Sequence, residues 1–151
     1  MAGKNLTEAQ RWHQQATYDL AAARWNFQGE FFNTSCFLAQ QAAEKALKSI
    51  LYYLGARRSA LLTHSVATMI KRLAGEVPGL AETLEMGRLL DLHYIPARYP
   101  NGLPDGVPYL FYGRETAAQA LDAAAKILTV IDDWYAQTPD AMMFLPPGQG
   151  G

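Results

Sequence analysis

The sequence holds one cysteine, three histidines and almost no net charge, and each shortage removes a class of protein. Cys36 alone cannot close an intrachain disulfide, and no Cys/His cluster has zinc-site spacing, so neither a metal nor another cofactor is expected. A formal net charge of −1 gives no bulk attraction to nucleic acid or to an anionic membrane, which leaves only a local basic patch for such partners. No apolar run approaches ~20 residues, and the opening MAGKNLTEAQ lacks the apolar centre of a signal peptide. The expectation is a cytoplasmic protein without membrane association. With 151 residues, half of them apolar and 18% charged, the chain is expected to form a single domain over 1–151, with a core over about 7–137.

Internal repeats and strand-like alternation are also missing; what is present is helical periodicity. Residues 33–55, NTSCFLAQQAAEKALKSILYYLG, contain no proline and no internal glycine and are rich in strong helix formers. Asn33, Thr34 and Ser35 offer N-cap oxygens, and Gly55 suits the left-handed residue that ends a helix. Leu38, Ala39, Ala42, Ala43, Ala46, Leu47, Ile50, Leu51 and Leu54 make a wide apolar face, and Gln41, Glu44, Lys45, Lys48 and Tyr52 make a polar stripe opposite. At 1.5 Å per residue the helix is roughly 33 Å long.

Before it, Thr7 to Gln10 fits a capping box, and Ala9, Trp12, Ala16, Leu20, Ala23 and Phe27 step by three or four as far as Gly29. After it, 56–62 reads as a short basic connection. Thr63 or Ser65 caps a third helix with Val66, Met69, Ile70 and Leu73 inward, and a fourth is expected over about 80–94. Residues 95–113, IPARYPNGLPDGVPYLFYG, hold four prolines and three glycines among aromatic residues, so no helix runs through them. Loops of that length are often functional. A last helix over 114–137 carries Ala117, Leu121, Ala124, Leu128, Ile131 and Tyr135 on one stripe. The tail 138–151 offers Met142, Met143 and Phe144 for docking and reads as partly disordered beyond them. The fold class is all-α, an up-and-down antiparallel bundle of about five helices with a long Pro-rich loop before the last.

The run Ala39-Gln40-Gln41-Ala42-Ala43-Glu44-Lys45-Ala46-Leu47-Lys48, then Thr63-His64-Ser65, then Tyr94-Ile95-Pro96-Ala97-Arg98-Tyr99-Pro100, resembles the HEPN domain family (higher eukaryotes and prokaryotes nucleotide-binding). The three blocks span most of the chain in the right order. Asn101 departs from the pattern, since relatives often carry an acidic residue there. The resemblance implies a helical bundle, a homodimer and, in many relatives, a small nucleotidyltransferase partner encoded beside it in a toxin–antitoxin-like pair; others are metal-independent ribonucleases.

Taken with the resemblance, Gln41, Lys45, Lys48, His64, Tyr94, Arg98 and Tyr99 form a candidate ligand surface for a nucleotide or RNA. The cations and the helix N-terminus at His64-Ser65 would hold phosphate, Arg98 through a bidentate fork, and Tyr94 or Tyr99 would stack a base. The plain alternatives are a solvated stripe whose Glu44–Lys48 pair is worth only ~0.2–0.5 kcal/mol, a capping role for His64, and an Arg98 that bonds loop carbonyls. The ribonuclease branch carries Arg and His four to six residues apart. Arg88 and His93 match it and would be the catalytic pair, although Leu89 replaces the usual polar residue and a five-residue step turns the two side chains about 140° apart on a helix. Arg57 or Arg58 with His64 also matches, in the wrong part of the chain. A ligand-free interaction scaffold is a third reading. His13 reads as a surface histidine, and Asp132-Asp133 as a solvated acidic turn.

Overall fold

Two long amphipathic helices joined by a tight turn set the frame. The computed structural model describes residues 5–144, which are all-α, without a strand among the described residues. Helix α1 (Leu6–Gln28) and α2 (Phe32–Tyr53) lie antiparallel. Trp12 meets Tyr52 near one end, Asp19 meets Lys45 midway, and Ser35 Oγ donates to Ala23 O near the other. Ala9, Ala16 and Ala23 of α1 and Ala39, Ala42, Ala43 and Ala46 of α2 have no exposed surface, and their lack of bulk lets the two backbones approach closely. Helix α7 (Arg114–Ala136) runs antiparallel to α1 and closes the core with Ala117, Ala124, Ile127, Ile131 and Tyr135. The Tyr135 hydroxyl bonds Ser49 Oγ at 2.8 Å inside that core, so the one polar tip on this face is satisfied. Leu47 and Ile50 are wholly buried, each worth ~1.5–3 kcal/mol in area removed from water.

The expected helix starts shift, and for α2 the reason is that tertiary partners take the side chains that were to cap it. Helix α1 begins at Leu6 after Asn5, without a side-chain cap, so the Thr7–Gln10 box does not form. Helix α2 begins at Phe32, which places Asn33, Thr34 and Ser35 in its first turn. Asn33 Nδ2 instead donates to Ala97 O of the later loop at 3.1 Å, and Ser35 is spent on α1. At the far end the expectation holds. Gly55 sits at φ +72°, its N–H bonds Tyr52 O, and the Ala56 N–H bonds Leu51 O, a Schellman closure.

The basic connection contains a single-turn helix, α3 (Arg58–Leu61). Helix α4 (Val66–Leu73) starts at Ser65, whose Oγ accepts from the Thr68 N–H. The helix expected over 80–94 is shorter: a 3₁₀ turn, Ala81–Thr83, precedes α5 (Leu84–Asp91). Gly87 lets α5 lie against α4, since a Cβ there would come within 2.7 Å of Ile70 Cδ1 and 3.3 Å of Ala67 Cα. The Pro-rich segment contains only a 3₁₀ turn (Pro100–Gly102) and a one-turn helix, α6 (Pro108–Phe111), each started by proline. It lies over the first turns of α2, with Ala97 and Pro108 buried. A last 3₁₀ stretch, Pro139–Phe144, packs against α7 and α1. The docking expected of the Met142, Met143 and Phe144 side chains, and the disorder expected beyond them, lie outside the described residues. No helix among the described residues is long and apolar enough to cross a membrane.

Candidate functional site

The polar stripe of α2 is not a solvated face. Glu44 and Lys48 are both almost fully buried, because helices pack around α2 on nearly every side. Lys48 Nζ meets Glu44 Oε2 at 3.0 Å and lies 5.6 Å from the Trp12 ring centroid. Gln40, with no exposed surface, donates from Nε2 to Glu44 Oε1 and to His64 O, both at 3.1 Å; Gln41 Nε2 donates to Gln40 Oε1 at 2.8 Å. Lys45 Nζ is held by Asp19 Oδ2 at 2.6 Å. Each buried charge therefore has an internal counter-charge, the condition under which burial is tolerated. Gln41, Lys45 and Lys48 are brought near one another, yet neither ammonium is unpaired.

His64 links this network to the loop. Its Nδ1 lies 3.2 Å from Glu44 Oε2, and its half-exposed ring stacks on Tyr94 with centroids 4.7 Å apart and planes 19° from parallel. Arg98 comes next: Nε donates to Tyr94 O at 2.9 Å, and the guanidinium carbon lies 4.2, 4.8 and 4.9 Å from the ring centroids of Phe37, Tyr94 and Tyr99. Phe37 was not in the sequence-based set. Arg98 is partly exposed and forms no ion pair among the described residues, so its terminal N–H groups remain for a ligand. His64, Tyr94, Arg98 and Tyr99 are thus assembled into one surface.

The N–H groups at the start of α4 are not open to an external anion. Asp91 accepts from Val66 N at 2.6 Å, Ala67 N at 3.3 Å and Ser65 Oγ at 2.7 Å. A carboxylate of the chain fills the place expected for phosphate, and no local pattern pairs residue 91 with residue 66. His64, Ser65, Asp91 and Tyr94 line a cleft of about 200 Å³ at this point. A larger cleft of about 390 Å³ lies on the α1–α2 face, between Glu8, Arg11, Trp12 and Gln15 on one side and Lys45 and Tyr52 on the other.

Arg88 and His93 each have a partner of their own. Arg88 is exposed and pairs with Glu85 one turn away, while His93 lies past the end of α5 and is buried. His93 Nδ1 is 3.4 Å from the Tyr112 hydroxyl, and burial lowers its pKa from 6.5. Burial, and then Cys36, raises Tyr112 to about 12; burial also raises Cys36 to about 12, which makes it an inert thiol. The reading of His13 as a surface residue is overturned. It is buried, with Nε2 2.6 Å from Asp132 Oδ1, so the supposed acidic turn anchors α7 to α1. No group of three or more His, Cys, Asp or Glu among the described residues has metal-binding geometry.

The HEPN domain profile matches residues 9–134. The chain is 35% identical to TT1696 from Thermus thermophilus, with a TM-score of 0.75 over 82% of this chain and 95% of that one. It is 32% identical to ST0689, an archaeal HEPN homologue, with a TM-score of 0.66 over 82% and 93% of the two chains. An HEPN domain protein from Thermotoga maritima is 28% identical, with a TM-score of 0.66 over 84% and 98%. No curated protein matches the chain. On the domain match and these shared folds, the chain belongs to the HEPN domain family.

Proposed function

We propose that this chain is a single-domain nucleotide-binding and regulatory module that works as a homodimer with a small nucleotidyltransferase in a toxin–antitoxin-like pair. The nucleotide sits on the surface formed by His64, Tyr94, Arg98 and Tyr99. Gln41 and Lys48 act from behind it, by holding Glu44 and through it His64, and Lys45 stands beside them on Asp19.

The observation that carries the reading is the state of Arg98. Its guanidinium is positioned by three aromatic rings and a carbonyl, with its planar fork left without a carboxylate among the described residues. Prolines 96 and 100 limit the backbone around it, so little entropy is lost when phosphate binds. The flanking rings suit a base, and the exposed Tyr109, Leu110 and Phe111 give the same loop an apolar patch suited to a protein partner.

Calorimetric titration with nucleoside mono-, di- and triphosphates tests the binding half. Arg98→Lys keeps the charge and removes the fork, and should weaken binding by ~1–3 kcal/mol while changing folding stability by no more than about 1 kcal/mol. Equal affinity in the two proteins sinks the site. Co-purification with the product of an adjacent nucleotidyltransferase gene tests the partner half, and two proteins that elute separately at micromolar concentration overturn it.

A further inference from the structure

The Pro-rich loop is fastened at both ends by one contact. His93 lies two residues before it and Tyr112 is its last residue but one. Their rings pack edge to face with centroids 5.3 Å apart and planes at 64°, and the His93 Nδ1–Tyr112 Oη distance is 3.4 Å. His93 is 6% exposed, and its Nε2 is fully buried without a hydrogen-bond partner among the described residues. A buried nitrogen left in that state is uncommon in folded proteins and costs free energy that an apolar ring in the same place would not.

We propose that His93 and Tyr112 form a proton-sensitive latch that keeps the loop seated on α2 near neutral pH and releases it in acid. A neutral imidazole is tolerated here, since it carries a single N–H and one nitrogen already faces a hydroxyl. The imidazolium carries two N–H donors and a charge, and the second donor has nothing to meet. The surroundings offer no relief. The Tyr112 hydroxyl faces the ring, and the Cys36 thiol of α2 acts on that hydroxyl. Both groups are neutral until strongly alkaline pH, with values of about 12. Asp91, two residues away, is committed to the start of α4, and no ion pair joins His93 to a carboxylate among the described residues. His64, which stacks on Tyr94, faces Glu44 of α2.

The direction of the effect follows from linkage. With the latch open, His93 takes up a proton near its ordinary value of 6.5; with the latch closed, burial pushes that value lower. The closed form is therefore favoured above about pH 6.5 and loses ground as pH falls from there toward the lowered value. Tyr94, Arg98 and Tyr99 all lie between the two latch residues, so release also disperses the binding surface. That consequence rests on the function proposed above, and it makes nucleotide binding weaker in acid.

Hydrogen exchange read by mass spectrometry tests the latch without any nucleotide, so a negative result leaves the Arg98 titration standing, and a failed titration leaves the latch standing. Protection of the amides over 94–111, corrected for intrinsic exchange, should fall between pH 7.5 and 5.0. One proton on a group of ordinary value 6.5 allows a fall of up to about 30-fold. The amides in the middle of α1 and α7 should hold their protection. His93→Phe keeps a ring and removes the titration, and its loop should show no such fall. A flat wild-type profile, or an equal fall in His93→Phe, overturns the latch. Should that variant not fold, imidazole NMR of the wild-type protein decides: titration of His93 well below 6.5 supports the latch, and titration at 6.5 or above overturns it.

Discussion

The stripe of α2 and the loop over 94–112 carry similar residues and treat them in opposite ways. Both offer cations beside aromatic rings. On α2, Lys45 and Lys48 are neutralised by Asp19 and Glu44, and all four side chains are at least three-quarters buried. In the loop, Arg98 sits on rings and a carbonyl and keeps its charge unspent. Availability to a ligand thus depends on which counter-charge other helices deliver, and the spacing of cations along one helix does not reveal it. The stripe is an internal strut, while the loop is the surface with spare valence.

Four substitutions test whether α2 and its neighbour α5 are structural where the loop is free, beginning with the largest effect. Lys48→Ala leaves Glu44 buried without its cation and should cost about 3–5 kcal/mol in denaturant unfolding. Adding Glu44→Gln and changing residue 48 to Met should recover most of that loss; a cost below about 1 kcal/mol for the single change would show that the stripe is solvated after all. Leu47→Ala, on the other side of the same helix, should cost about 2–5 kcal/mol, which makes the polar and apolar faces of α2 equally structural. Gly87→Ala gains roughly 1 kcal/mol in helix propensity but forces α5 off α4. Overpacking of about 1–3 kcal/mol should leave the variant less stable by thermal melting, and a rise in Tm would refute the close approach. Arg88→Ala removes only an exposed pair with Glu85 and should change stability by less than about 0.5 kcal/mol. If purified protein cleaves RNA without metal and Arg88→Ala abolishes that cleavage, a role for Arg88 returns although His93 is buried.

The long helices were legible because their apolar residues recur at helical spacing over six turns, a signal no other structure imitates. Their first residues were not, since Asn33 and Ser35 look like caps from either side of the boundary and are claimed by Ala97 and Ala23, far away in sequence. Glu44 and Lys48 show the deeper difficulty. A pair at i, i+4 reads alike whether water or helices surround it. The signal that could have separated the cases lay nearby: alanines and leucines flank the stripe on both sides, too many for a helix with a wet face. For His13 and Asp132, and for Asp91 at the start of α4, no local signal exists, because each pairing is made by the fold. Of the candidate surface, the YIPARYP block was readable as a unit through its prolines, and Phe37 was hidden among core residues of α2.

The contact between the closing 3₁₀ stretch and α1 has a practical consequence for the topology of the chain. The first and last described elements touch, so a short linker from the closing 3₁₀ stretch to the start of α1 would join them without crossing the core. New ends could then be opened in the exposed stretch between the 3₁₀ turn at Pro100–Gly102 and α6. In that circular permutant α7 would precede α1 and α2, making the three helices that build the core consecutive. The aromatic residues of the loop would be divided between the two termini. Such a protein should keep its helical content and its melting cooperativity, while the arginine platform and the residues beyond it would no longer be joined by a peptide bond.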